Sequence, residues 1–474
     1  MKLFKLLKGV ECRVFGSPLV EIEGLFHNNK DVVQGGLFFC LSGKNFNGEN
    51  FIGEAVKCGA VAVVVNREIE NLHGVVQVVV RDTRKAMSKI ACNFYENPAK
   101  NLKIIGVTGT NGKTTTTYMI ASLINSSGRT AAIIGTNGVF YNNKKIETEM
   151  TTPDPIELQK IFRKLVDGGV EYVCMEVSAH AIYLNKVDGF VFELMIWTNL
   201  TEDHLDYFET MEKYYLAKRK IFTREHIKYA LINIDDDYGK RLYESINMTK
   251  FTYSIFAKAD FKSDEIKVEN FKQEFYFNNE KIKTYFLGKF NILNLTAALA
   301  SINILKINLK SLAENVINIK PVSGRFNTIV INKKLFIIDY AHTPDGLENV
   351  LKTIKEMIKS GKIVCVFGCG GNRETQKRSK MGEISSKYAD FSIISSDNPR
   401  FESREKIAGD IEKGMINSNY KIILNRSEAI KYANLITNEG DIILIAGKGA
   451  ENYIDENGVK VPYSDFEEVE KLRR

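Results

Sequence analysis

The sequence predicts an α/β fold in three domains: a central P-loop ATPase-type parallel sheet, a Rossmann-like C-terminal domain and a small α/β N-terminal domain. Three observations carry that reading. Short apolar runs alternate with helix-patterned segments over most of the chain, as parallel sheets covered by helices require. Residues 106–115, GVTGTNGKTT, leave one such run and enter a helical pattern. The 474 residues amount to about three domains at roughly 100–200 residues each.

Taken in order, residues 1–10 (MKLFKLLKGV) mix basic and apolar residues without a long apolar run or cleavage site, so an amphipathic first helix is expected rather than a signal peptide. The runs at 36–41 and 60–65 belong to a first domain, 1–99, which closes at Asn97-Pro98. The strand at 103–107 delivers the glycine-rich turn, and runs at 131–135, 172–177, 194–198 and 228–234 continue a second domain, 100–323. Pro321 to Gly324 marks the next boundary. Runs at 335–340, 362–367, 391–395 and 441–446 build a third domain, 324–474. In such sheets ligand-binding groups sit in the loops after strand C-terminal ends.

Composition narrows the class. With 44% hydrophobic and 26% charged residues the chain is neither disordered nor a membrane span, and no transmembrane segment is expected. The net charge of +7 is scattered rather than gathered in an arm, which argues against a nucleic-acid partner. Seven cysteines, mostly in apolar runs, read as reduced thiols of a cytoplasmic protein, expected as a monomer. Cys365 and Cys369 are close, but no second pair or nearby His completes a zinc site.

Chemistry concentrates at the glycine-rich turn. Gly109 and Gly112 let backbone N–H groups, including those of Thr110, Asn111 and Thr115, approach phosphate oxygens. Lys113 neutralises charge and Thr114 offers a hydroxyl to Mg²⁺ at a helix N-terminus. Val107 stands where the usual spacing has glycine; the competing reading is a plain turn between strand and helix. Downstream, 175–180 (MEVSAH) puts Glu176 at a strand end, and 198–206 (TNLTEDHLD) brings Asp203, His204 and Asp206 as metal ligands or groups behind them. Alone, a strand-end acid is as readily a helix cap and a single His a structural residue. Residues 214–222 (YYLAKRKIF) form a helix with a basic cluster, or an ordinary solvated basic face.

These segments together resemble the Mur ligases, ATP-dependent amide-bond-forming enzymes of peptidoglycan synthesis whose family also includes folylpolyglutamate synthetases. The resemblance rests on 109–115, Thr151-Thr152-Pro153, 176–180, 203–206, 217–222, Gly288 to Asn294, Gly324-Arg325 and 339–344 (DYAHTP). Leu37-Phe38, 48–52 and 367–371 (FGCGG) resemble the tripeptide-forming branch.

The resemblance implies ATP and Mg²⁺ as cofactors, and Lys113, Glu176, His204 and Lys218 as catalytic residues. Lys218 matches a lysine that is carbamylated in several members, and as a carbamate would join Thr114, Glu176 and His204 around metal. Asn294 would approach adenine and Asp339 ribose, with Arg325 also at ATP. Asn29, Thr151, Thr152, Ser178 and Lys186 would contact UDP-N-acetylmuramoyl-L-alanyl-D-glutamate. Asp397-Asn398-Pro399-Arg400 matches the form found in meso-diaminopimelate ligases, since a guanidinium can grip the distal carboxylate that lysine lacks. Arg373, Gly447 and Glu451 would complete that pocket, Glu451 reading the distal ammonium.

The implied reaction passes through an acyl phosphate. Alternatives are a relative adding L-lysine or D-alanyl-D-alanine, or a non-catalytic nucleotide-binding regulator. The chain departs from the branch at Asn28-Asn29-Lys30 (usually Asp-Ser-Arg), at Asn47 and Asn372 (usually acidic), at Lys186 (usually Arg) and at Ala450 (usually His).

Overall fold

The computed structural model describes residues 1–43, 47–269, 272–308, 312–358 and 360–473. Its three main sheets follow one another along the chain. The N-terminal sheet orders its strands Cys12–Phe15, Val76–Val80, Ala60–Val65, Gly36–Phe39, Gly24–Phe26, with only the first antiparallel to its neighbour. The expected first helix is short, Leu3–Leu6, because the chain reverses at Gly9 (φ 76°) to enter the first strand.

In the central sheet of eleven strands, Lys103–Thr108 is flanked in parallel by Phe192–Trp197 and Tyr172–Glu176. The neighbours Ala131–Gly135 and Ile227–Asn233 are also parallel. Strands buried on both faces read as continuous apolar runs, which is why this part of the sheet was visible in the sequence. Both ends of the sheet are instead antiparallel hairpins, which the alternation of strand and helix did not foresee.

Two of their turns are Asn142-Asn143 (φ 46° and 60°) and Asn278-Asn279 (φ 48° and 67°), each joining two strands through two left-handed residues. Asparagine tolerates that conformation, and paired left-handed residues match the twist of a hairpin. Such turns more often pair asparagine or aspartate with glycine, and these carry no glycine.

The C-terminal sheet runs Asn327–Ile331, Lys334–Asp339, Ile442–Ala446, Ile363–Phe367, Phe391–Ile394, Tyr420–Ile422, parallel beyond its first strand. Leu347, Leu351 and Met381 of the helices Pro344–Met357 and Gln376–Tyr388 fill one face. Ala429, Ile430 and Val469 of Arg426–Ile436 and Asp465–Glu470 fill the other. The loops after residues 339, 367, 394 and 446 therefore open along one edge.

Beneath that edge lies a wholly buried ion pair. Arg426 Nε and Nη2 each donate to Asp465 at 2.8 Å, and the same guanidinium donates to the carbonyls of Ala446 (2.9 Å) and Ser396 (3.4 Å). One arginine thus ties together two loop-bearing strand ends. Asp465→Asn removes the countercharge and leaves a buried guanidinium underpaired, so a loss of about 3 kcal/mol is expected in denaturant unfolding. A change below about 0.5 kcal/mol would show the pair to be dispensable.

Candidate active site

The phosphate loop is held from behind by the strand-end segment at 198–201. Thr110 N donates to Asn199 O (3.0 Å), Asn111 N to Asn199 Oδ1 (2.9 Å), and Thr198 Oγ1 to Asn111 O (2.7 Å). Gly109 must be glycine: at φ 149° a Cβ would lie 1.8 Å from Thr198 Oγ1. Gly112 (φ 85°) would meet Asn294 Oδ1 at 2.5 Å. The helix Lys113–Ser126 begins there, its first N–H···O bond running from Thr116 to Gly112, so the preceding N–H groups form an anion-binding end.

Glu176 is buried beside this end. Its Oε2 accepts from Thr114 Oγ1 (2.9 Å) and its Oε1 from Thr136 N (2.9 Å). Arg325 Nη2 donates to Thr114 Oγ1 at 3.0 Å from the C-terminal side. A hydroxyl and a carboxylate in contact are an all-oxygen donor set, which fits Mg²⁺. Among the described residues no group of three or more His, Cys, Asp or Glu is close enough to hold a metal.

Two lysines converge on one oxygen. Gly109 O accepts from Lys113 Nζ (2.9 Å) and from Lys218 Nζ (2.8 Å), and Lys113 Nζ also donates to Thr110 O (2.8 Å). Burial lowers the pKa of both ammoniums, and for Lys218 the nearby Lys113 lowers it further, well below the ordinary lysine value. A neutral Lys218 amine can add to CO₂ and release a proton, becoming an anionic carbamate.

His204 caps Leu205–Phe208 at φ 57°, its Nε2 3.3 Å from Asp203 and its ring edge-on to His180. Burial and the surrounding His180, Lys218 and Lys113 depress the imidazole, outweighing Asp203, so it stays neutral and able to accept a metal.

On the C-terminal side, Asp339 receives Phe326 N and Ala341 N, both at 2.7 Å, and burial raises its pKa. Gly324 (φ 72°) packs so closely that a Cβ would lie 2.1 Å from Ala450 N. Residues 324–325 therefore touch the phosphate-loop threonine on one side and the 447–451 loop on the other.

Asn398 Oδ1 accepts from buried Lys448 Nζ (3.0 Å) and from Asp455 N (2.9 Å), which turns its Nδ2 toward Glu451 Oε2 (2.9 Å). Lys448 Nζ also donates to Glu451 Oε2 (3.0 Å). Arg400, at φ 51°, donates from Nη1 to Gly371 O (2.8 Å) and stands 3.6 Å from Asp455. Gly370 leaves it room, since a Cβ there would come within 2.8 Å of that Nη1.

One cavity of about 660 Å³ joins these parts. Lys113, Thr114, Thr115, Glu176 and His204 line it, with Asn294, Arg325 and Asp339. So do Thr151, Thr152, Ser178 and Lys186 on one flank, and Arg373, Asp397, Asn398, Arg400, Gly447 and Glu451 on another. Lys218 and Gly109 support it from beneath. Pro399 lies on a separate surface pocket. Asn29 is elsewhere, on the N-terminal domain, donating to Glu54 Oε2 at 2.7 Å.

Sequence reasoning missed Thr136, Asn199 and Lys448. Thr136 follows a strand end and carried no motif, whereas Asn199 lay inside the 198–206 segment, from which only Asp203, His204 and Asp206 were singled out. Lys448 follows Gly447, which was named for the amino-acid pocket, and that adjacency was the one signal available to find it.

Family models match two stretches: Mur ligase middle domain over residues 107–302, and Mur ligase, glutamate ligase domain over 324–449. The UDP-N-acetylmuramoyl-L-alanyl-D-glutamate--2,6-diaminopimelate ligase 1 of Clostridium acetobutylicum is 43% identical over 461 residues, covering 96% of this chain and 95% of its own length. That of Caldanaerobacter subterraneus is 39% identical over 479 residues, 100% of this chain and 99% of its own. A solved structure of a ligase of the same name superposes with a TM-score of 0.68 at 32% identity, covering 95% of this chain and 94% of its own. MurF ligase of Thermotoga maritima shares the fold (TM-score 0.64, 19% identity, 97% and 98% covered).

Proposed function

The chain belongs to the Mur ligase family, and from that premise we propose that it joins 2,6-diaminopimelate to UDP-N-acetylmuramoyl-L-alanyl-D-glutamate with conversion of ATP to ADP. The observation that carries the reading is a single cavity bounded by the phosphate loop and by the Asp397 to Arg400 and Glu451 group. Relatives of 43% and 39% identity bearing that ligase name support the amino acid. Diaminopimelate, in its meso form, is the amino acid we assign, because unlike lysine diaminopimelate offers the Arg400 guanidinium a distal carboxylate beside the distal ammonium. Seven free cysteines are consistent with a reducing cytoplasm.

The D-glutamyl carboxylate attacks the γ-phosphorus of ATP, ADP departs, and an acyl phosphate forms. The diaminopimelate amine then attacks the acyl carbon and phosphate leaves. Lys113 and the N–H groups at the helix start hold the phosphoryl oxygens, which is chiefly a positioning and electrostatic task. Thr114 and Glu176, with His204 and a Lys218 carbamate, would hold Mg²⁺, which when bound offsets phosphate charge. Lys186, already 2.8 Å from Asp154 and flanked by Thr151, Thr152 and Ser178, faces the nucleotide-sugar side. Glu451, oriented by Asn398 Nδ2, takes the distal ammonium, and Arg400 the distal carboxylate.

The direct test is ADP release with the muramoyl dipeptide against a panel of amino acids. Release driven by diaminopimelate and not by lysine is expected; release driven by lysine or D-alanyl-D-alanine instead would move the chain to another branch. Lys218→Ala should reduce turnover on the order of 10²-fold, with partial rescue by a small carboxylate. An unmodified Lys218 in the active enzyme, seen by intact-mass or ¹³C measurement in bicarbonate, would remove the carbamate from the account.

A further inference from the structure

Lys377 sits in the first turn of the helix Gln376–Tyr388, is only 7% exposed, and lines the cavity between the central and C-terminal domains. Among the described residues its ammonium has neither an ion pair nor a hydrogen bond. Its neighbours contrast with it. Arg378 is fully engaged by Glu402 (3.0 Å), Asp410 (3.1 Å) and Gly370 O (3.2 Å), and Lys380 crosses the cleft to Glu202 at 2.7 Å. A cation so deeply buried is costly to leave unpaired, so its partner should be an anionic ligand.

Its position narrows which anion. Lys377 and the phosphate-loop Lys113 line the same cavity, with Asp203 also on its wall. The two lysines therefore face the same region from opposite domains. The helix beginning at Gln376 adds its own N-terminal field, and its cap residue Thr375 makes no side-chain capping bond. A fork-shaped carboxylate partner already exists in Arg400, whereas a compact ammonium suits a phosphoryl group.

We infer that Lys377 is a catalytic residue, the cation through which the C-terminal domain binds the phosphoryl group of the acyl phosphate; this rests on the ligase reading above. When the amine attacks, the N–C bond forms and the acyl C–O bond breaks. The electron pair leaves with the phosphate, and the amine's proton passes to solvent. Negative charge grows on the departing phosphate, where Lys377 stands.

The test uses the full-length enzyme and two variants, Lys377→Met and Lys377→Arg. Three readouts are needed: steady-state ligation, positional isotope exchange in ¹⁸O-labelled ATP with the muramoyl dipeptide alone, and thermal unfolding. Lys377→Met should unfold like wild type, with kcat lower by about 10²-fold and the KM values for ATP and amino acid changed less than about threefold. Isotope exchange should fall with kcat, and Lys377→Arg should recover most of both. Wild-type-like kcat in Lys377→Met overturns the inference, as does a loss confined to the amino-acid KM with exchange intact. If Lys377→Met is destabilised, Lys377→Arg decides: kcat as low as that of the methionine variant overturns the inference. Absence of exchange and of ligation in wild type would instead sink the ligase reading itself.

Discussion

Lys113→Met lowers ligation by about 10³-fold or more while the protein stays folded. The magnitude follows from what is lost. Lys113 is held at the mouth of the phosphate loop by the carbonyls of Gly109 and Thr110, so its charge is fixed beside the helix N-terminus before any phosphate arrives. A preorganised charge of this kind, in a site that excludes water, contributes about 4 kcal/mol to the transition state, equivalent to about three decades of rate. Folding should not suffer. Because burial lowers the Lys113 pKa, the protonated form penalises the folded state at pH values below that of a free lysine, and methionine removes the penalty. Saturating-substrate ADP release together with thermal unfolding checks both halves. A folded variant within tenfold of wild type would displace Lys113 from the chemistry.

Arg400→Ala removes diaminopimelate use and spares nucleotide binding. The guanidinium is oriented by Gly371 O and by Asp455, neither of which belongs to the phosphate loop. Its loss should therefore appear in the amino-acid kcat/KM alone. Truncating one member of a desolvated charge pair costs about 2–5 kcal/mol, from tens to thousands of fold. Lysine carries no distal carboxylate, so any residual activity with lysine should change little, and nucleotide affinity measured by calorimetry should be unaltered. Equal losses with both amino acids would mean that Arg400 supports the loop rather than reading the ligand.

The parts legible in the sequence were those where one residue type has one use. Gly-Lys-Thr between a strand and a helix could be read because Gly109 and Gly112 occupy positions where a Cβ collides with Thr198 or Asn294. The parallel strands were readable because burial on both faces leaves continuous apolar runs. The hairpins escaped because their turns are asparagine pairs without the glycine that such turns more often carry.

Within the site, sequence reading named Asn398 and Glu451 but not Lys448, whose buried ammonium fixes how both are presented. Its role depends on contact between residues about 50 positions apart in the chain, which no local pattern reports. Likewise, nothing in the spacing of Lys113 and Lys218 announced that they share one carbonyl oxygen.

The joint at Gly324-Arg325 has a thermodynamic consequence. Gly324 is pressed against Ala450, at the edge of the amino-acid loop, and the next side chain reaches Thr114 at the nucleotide loop. A displacement of either loop is therefore felt by two adjacent peptide units that also seat the other. Linkage then works in both directions: whatever factor nucleotide contributes to amino-acid affinity, the amino acid must return to the nucleotide. The order in which the two ligands are added can alter the path to the ternary complex but not the free energy they share.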